Sequence, residues 1–152
     1  MLGLDRETYG RRAVQLLSMV GLDGFADKYP NELSGGMQQR VSIARALIHD
    51  PSLLLMDEPF GALDALTREN MNLELQRIAQ DAGKTVLFIT HSIQEAVFLG
   101  DRVVVMTPRP GRIARIIDIG LERPRDLDLS AGERFGVYVK EIRHLLNAQG
   151  LT

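Results

Sequence analysis

The chain has 152 residues, room for one compact domain with a sizeable core and not for two full domains. Its 18 Lys and Arg against 20 Asp and Glu give a formal net charge of −2, so no global positive field exists to hold a polyanion and a nucleic-acid binder is disfavoured. Hydrophobic residues at 45% and charged residues at 25% separate it from disordered chains, and the absence of cysteine excludes disulfides and thiolate-bound zinc. No apolar run approaches the ~18 residues of a membrane-spanning helix, and Met1 to Arg12 carry Asp5 and Glu7 in place of an apolar signal core. The expectation is a chain that neither spans a membrane nor is exported by an N-terminal signal.

Residues 5 to 20 place Tyr9, Ala13, Leu16 and Val20 on one helical face, with Gly21 as the stop. After a stretch broken by Gly24, Pro30 and Asn31, a second helix opens directly behind Ser34-Gly35-Gly36. It carries Met37, Val41, Ala44 and Ile48 at helical steps and ends at Asp50-Pro51. Leu53 to Met56 form an apolar run without alternation that stops at Asp57-Glu58-Pro59, the pattern of a strand buried on both faces. Helical spacing returns at Met71, Leu75, Ile78 and Ala82 and closes at Gly83. A strand from Thr85 to Thr90, a helix from Ile93 to Leu99 and a strand from Arg102 to Met106 follow. That alternation predicts parallel α/β crossovers. Pro108 to Gly111 is too short a turn for a crossover, so a strand from Arg112 to Ile119 is predicted antiparallel. Leu121 to Leu129 reads as a solvated loop. Phe135, Val139, Ile142 and Leu146 give a terminal helix fraying at Gly150.

Chemistry concentrates where open α/β sheets bind ligands, just beyond the carboxyl ends of their strands. Asp57 and Glu58 stand there, and successive strand side chains point in opposite directions, so one can reach a Mg²⁺ while the other addresses a water. Ser34-Gly35-Gly36 at a helix start offers backbone N–H groups to an anion with no Cβ in the way. His91 closes the strand that begins at Thr85. Taken singly, each has a structural reading: solvated loop acids, a helix cap, a hydrogen-bonding histidine. His49 and His144 have no such context. Gly83-Lys84-Thr85 matches the end of a P-loop, but the first glycine of G-x-x-x-x-G-K-[ST] falls at Ile78, and the triplet opens a strand instead of a helix. It is predicted to be a C-cap turn.

Leu33-Ser34-Gly35-Gly36-Met37-Gln38-Gln39-Arg40, the strand ending Leu55-Met56-Asp57-Glu58-Pro59, Gly61-Ala62-Leu63-Asp64, and Thr90-His91 together resemble the ordered motifs of ATP-binding cassette ATPases. In that family's terms they are similar to the signature motif, the Walker B strand, the D-loop and the switch histidine. The family's LSGGQ has Gln where this chain has Met37. The resemblance implies an α/β fold, a P-loop NTPase-like parallel sheet flanked by helices. Residues 1–50 would be part of the helical signature subdomain, 51–120 the α/β core, and 121–152 a C-terminal loop and helix. It implies that Asp57 helps hold Mg²⁺, that Glu58 polarises the water attacking the γ-phosphate of ATP, and that His91 contacts that phosphate. Asp64 would communicate across a dimer, and Ser34, Gly35 and Gly36 would close over ATP bound by the opposite subunit.

Ser92-Ile93-Gln94-Glu95-Ala96 and Asp101-Arg102-Val103 resemble the stretch after the switch histidine in bacterial importer ATPases. Pro108-Arg109-Pro110-Gly111-Arg112-Ile113 and Glu122-Arg123-Pro124-Arg125-Asp126 look most like the nitrate, sulfonate and taurine importer branch. The resemblance thus implies a transmembrane permease, a second ATPase subunit and, indirectly, a solute-binding protein as partners. It places the protein peripherally at the cytoplasmic face of the plasma membrane. The family's P-loop, adenine-stacking aromatic and Q-loop have no match here, so the expectation is negligible ATP hydrolysis by this polypeptide alone and exposed apolar strand surface. Two other readings compete. One is a non-catalytic module lending its signature motif in trans to a complete ATPase. The other is a chromosome or DNA-repair ATPase, which would show heptad coiled coils and a basic surface that this sequence lacks.

Overall fold

The computed structural model describes residues 6–148. Its helices and strands are α1 (Arg6–Met19), α2 (Gly35–Leu47), β1 (Leu53–Asp57), α3 (Ala65–Ala82), β2 (Thr85–Ile89), α4 (Ile93–Leu99), β3 (Arg102–Met106), β4 (Ile113–Asp118) and α5 (Glu133–Asn147). This mixed α/β order follows the expected alternation, and the fraying at Gly150 lies outside the described residues. The strands do not share one sheet: β1 pairs with β2 and β3 with β4. In place of one compact domain the chain divides into two compact units, with the boundary between Leu87 and Phe88 inside β2.

In the first unit, α1 packs on α2 through Leu16, Ile43, Ala44 and Leu47, all buried. The buried stripe of α2 is therefore rotated from the expected one, since Met37, Val41 and Ile48 are only half-buried. Helix α3 buries Met71, Leu75 and Ile78 as its periodicity predicts. Gly83 ends it in the left-handed region at φ 60°, its N–H donating to Ala79 and Gln80 carbonyls, which bears out the C-cap reading of Gly83-Lys84-Thr85. Asp50, also left-handed at φ 53°, accepts from Lys84 Nζ at 2.7 Å and pairs with Arg12 at 3.1 Å. The Lys84 hydrogen bond, then that of Arg12, holds its carboxyl below the usual carboxylate range. The stability this tie contributes is present above the ordinary carboxylate pKa and is lost as pH falls through the lower folded value.

Strand β1 departs from expectation. Leu54 and Met56 are buried, but Leu53 and Leu55 remain 52% and 67% exposed, so one face and not both is covered. An apolar run reports that both faces suit burial; whether a neighbour is there to cover them depends on the rest of the sheet.

In the second unit, β3 and β4 pair antiparallel from Arg102↔Asp118 to Met106↔Ile113, as the short turn requires. Val103, Val105 and Ile117 face a core shared with Phe135 and Ile142 of α5 and with Val97 and Phe98 of α4. The segment Leu121 to Leu129 is not a solvated loop. Leu121 is buried and Arg125 is 2% exposed. Arg125 donates to the carbonyls of Val97, Phe98 and Gly100 at 2.8–3.0 Å and to Leu121, while Arg123 reaches Leu99 O and Asp101. The last carbonyls of a helix have no intrahelical donors, and these two guanidinium groups supply them to α4. Burial lowers the Arg125 pKa, with the nearby Arg123 charge adding to the effect.

The uncovered face of β1 predicts self-association of the isolated chain. Leu55→Glu, which adds charge at an exposed position, is expected to shift sedimentation toward monomer without changing helical circular dichroism, whereas unaltered self-association would show that this face is not the sticky surface.

Candidate functional site

The start of α2 is built by the residues before it. Ser34 caps the helix in extended conformation (φ −64°, ψ 162°), its Oγ accepting from Met37 N–H at 3.3 Å. Gln38, one turn into the helix, donates through its side-chain amide to the carbonyls of Pro30 and Leu33 at 2.9 and 3.1 Å, which ties the incoming chain to the helix it starts. The first-turn N–H groups of α2 and the positive end of its dipole open on the surface at Gly35 and Gly36.

The start of α3 is built in the same way. Phe60, 1% exposed, anchors the connection from β1, and Gly61 N–H to Glu58 O and Leu63 N–H to Phe60 O fold it into turns. Asp64 caps α3 with Oδ1 accepting from Thr67 N–H at 3.0 Å. Hydrogen bonding to Thr67 holds the Asp64 carboxyl below its usual range, so it stays ionised over the whole physiological pH range. Arg68 braces the turn by donating to Leu63 O at 2.8 Å.

These two helix starts face one another. A Cβ added at Gly35 would stand 3.6 Å from Leu63 Cδ2, and one at Gly36 would stand 3.4 Å from Thr67 Cγ2. Between them lies an open cleft of about 480 Å³ lined by Ser34, Gly35, Gly36, Arg40, Asp64 and Thr67 among others. Arg40 adds a cation to that lining, and its buried Nε has no hydrogen-bond partner among the described residues. Two positive helix ends and a guanidinium against one carboxylate suit an anion with several oxygens, such as a polyphosphate.

Asp57 ends β1 and is exposed, as is Glu58. Glu58 sits at φ 44°, a left-handed conformation that costs a non-glycine residue on the order of 1–3 kcal/mol. That turn takes the chain out of the strand direction and on toward Asp64. His91 belongs to the second unit, one residue beyond Thr90 in the turn from β2 to α4, and is exposed. The structure therefore gathers Ser34, Gly35, Gly36 and Asp64 into one cleft, places Asp57 and Glu58 on the strand and turn that lead to it, and holds His91 on a separate unit. Sequence reasoning gave no role to Arg40, Gln38 or Arg68; the signal for Gln38 was its place four residues after the cap, within reach of the preceding carbonyls.

Residues 4–61 match the family described as ABC transporter. Over 139 residues the chain is 55% identical to an uncharacterised ABC transporter ATP-binding protein of Methanocaldococcus jannaschii, covering 91% of this chain and 51% of that protein. Over 151 residues it is 50% identical to the taurine import ATP-binding protein of Rhizobium johnstonii, covering 96% of this chain and 58% of that one. A dimeric ATP-binding cassette in a post-hydrolysis state bound to ADP and Pi superposes with a TM-score of 0.59 at 37% identity, over 79% of this chain and 51% of that one. The mixed α/β fold is shared with ATP-binding cassettes, which have the P-loop NTPase architecture. Over most of its length the chain is similar to ATP-binding proteins of ABC transporters, and it spans about half the length of the curated relatives it matches.

The cap and the glycines separate experimentally. Ser34→Ala is expected to destabilise the first unit by about 1 kcal/mol in urea unfolding. Gly36→Ala is expected to be neutral or slightly stabilising, because its Cβ fits at contact distance and alanine favours the helix. Equal losses from both would show that the glycine is needed for packing and not for what enters the cleft.

Proposed function

We propose that this chain supplies the signature, Walker B, D-loop and switch-histidine parts of an ATPase that energises import of nitrate, a sulfonate, taurine or a similar small anion. The observation that carries this reading is the cleft in which the N-terminus of α2 and the capping Asp64 of α3 face each other across glycines. A cleft with that charge pattern fits the terminal phosphate of ATP held by an opposing subunit. Gly35 and Gly36 let oxygens approach the backbone, Ser34 offers a hydroxyl, and Asp64 senses the facing subunit.

Phosphoryl transfer asks mainly for positioned charge and an in-line nucleophile. Glu58, turned out of β1, would accept a proton from, or orient, the attacking water, and His91 would donate a hydrogen bond to the γ-phosphate. Asp57 would be the carboxylate that helps hold Mg²⁺, an ion that keeps waters and is commonly held by one or two carboxylates together with substrate phosphates. Bound there, Mg²⁺ would neutralise charge building on the phosphate oxygens. The partners are a transmembrane permease, a second ATPase subunit and, indirectly, a solute-binding protein, with no nucleic acid; the site of action is the cytoplasmic face of the membrane. No helix among the described residues is long and apolar enough to cross a membrane. The identity with a taurine import ATP-binding protein supports the solute class.

These residues contain no G-x-x-x-x-G-K-[ST], and by themselves they are expected to turn over ATP negligibly. In a mixture with a P-loop-bearing polypeptide, Gly36→Ala should reduce turnover at least ~10-fold and Glu58→Gln by ~10²-fold or more. Loss with Gly36→Ala alone would favour the module that lends its signature motif in trans, because that reading uses the cleft and not Glu58. Turnover indifferent to both changes, or sustained Glu58-dependent turnover by the chain alone, would contradict the proposal.

A further inference from the structure

We infer that Thr90 and Glu95 are positioning residues that fix the turn carrying His91, an inference that rests on the reading of His91 as the γ-phosphate contact. Helix α4 begins with a capping pattern, Ser92 at the N-cap and Glu95 three residues on, and Ser92 Oγ accepts from Glu95 N–H at 3.2 Å. In the usual reciprocal arrangement the glutamate side chain would accept from the N-cap backbone N–H. Here a hydroxyl is inserted between them. Ser92 N–H donates to Thr90 Oγ1 at 2.9 Å, and Thr90 Oγ1 in turn donates to Glu95 Oε2 at 2.6 Å.

The result is a closed circuit, from Ser92 to Thr90 to Glu95 and back to Ser92, with His91 at the apex of the turn it encloses. A Thr–x–Ser turn of this kind sets the backbone of its central residue. Three features make it firm. Threonine is stiff at χ1, so its hydroxyl is aimed by the backbone. Glu95 is 7% exposed beside buried Val97 and Phe98, and a carboxylate so placed costs heavily when it loses a donor. The far end of α4 is tied by Arg123 and Arg125, so the helix that carries Glu95 is held at both ends. A histidine asked to meet a phosphate oxygen gains from an orientation set before the ligand arrives.

The test compares Thr90→Val, which keeps the shape and removes the hydroxyl, with Thr90→Ser, which restores it, and with Glu95→Gln, which retains an acceptor. Hydrogen exchange of the full chain is followed by mass spectrometry at the amides of the 88–96 peptide and, on a slower scale, at His91 Cε1–H. Thr90→Val is expected to speed amide exchange in 88–96 at least ten-fold and to shift the His91 Cε1–H rate at least two-fold. Peptides of α5 should be unchanged, Thr90→Ser should return to wild-type behaviour, and Glu95→Gln should fall between. Unchanged exchange at 88–96 and His91 in Thr90→Val would overturn the inference. So would an equal acceleration across α5, which would mark Thr90 as a general stability residue. The underlying reading is tested separately: if His91→Ala leaves turnover in the P-loop-bearing mixture intact while Thr90→Val still loosens the turn, the assignment of His91 to the γ-phosphate fails and the circuit keeps only its structural meaning.

Discussion

The structure turns on the close approach of two helix starts. Helices α2 and α3 each begin at a capping side chain, Ser34 and Asp64, and they stand close enough that a Cβ added at Gly35 or Gly36 would just touch Leu63 or Thr67. Larger side chains at those positions would fill the cleft that Arg40 and Thr67 also line. Without side chains at Gly35 and Gly36 the first N–H groups of α2 stay open at the surface, the arrangement that the proposed phosphate contact draws on. The loop from Glu58 to Asp64 is subordinate to that arrangement. Its left-handed Glu58, buried Phe60 and Arg68 brace deliver Asp64 to the mouth of the cleft.

Much of this was legible in the sequence because it is local. A cap announces itself by residue type directly before a periodic run, as at Ser34, and Gly83 marks the left-handed end of α3. The limits of α4 and β3 and the antiparallel return of β4 follow from the same short-range signals. Four motifs, each weak alone, gained force from their order along the chain, and the family they resemble is the family the comparisons return.

What escaped the sequence depends on partners distant in the chain. The run Leu53 to Met56 is suited to burial on both faces, yet only Leu54 and Met56 are covered, because hydropathy cannot report whether a neighbouring layer exists. Arg125 looked like a solvated charge among other charges; it is buried because the carbonyls at the end of α4 need donors and a guanidinium supplies several at fixed geometry. The stripe Met37, Val41, Ala44, Ile48 was rotated from the buried one because Ile43 and Leu47, on the flank of that stripe, are what α1 meets. The circuit around His91 joins residues five apart, a spacing that no helix or strand period singles out.

The account stands on the cleft at Ser34 as a surface that meets nucleotide held by another polypeptide. The chain contains no cysteine, so Ser34→Cys introduces a single thiol, and disulfide trapping against one cysteine placed in the P-loop of a complete cassette measures that encounter directly. The account predicts a cross-link that forms with ATP and Mg²⁺ and is lost with ADP or without nucleotide. A cross-link indifferent to nucleotide, or none under any condition, would contradict it.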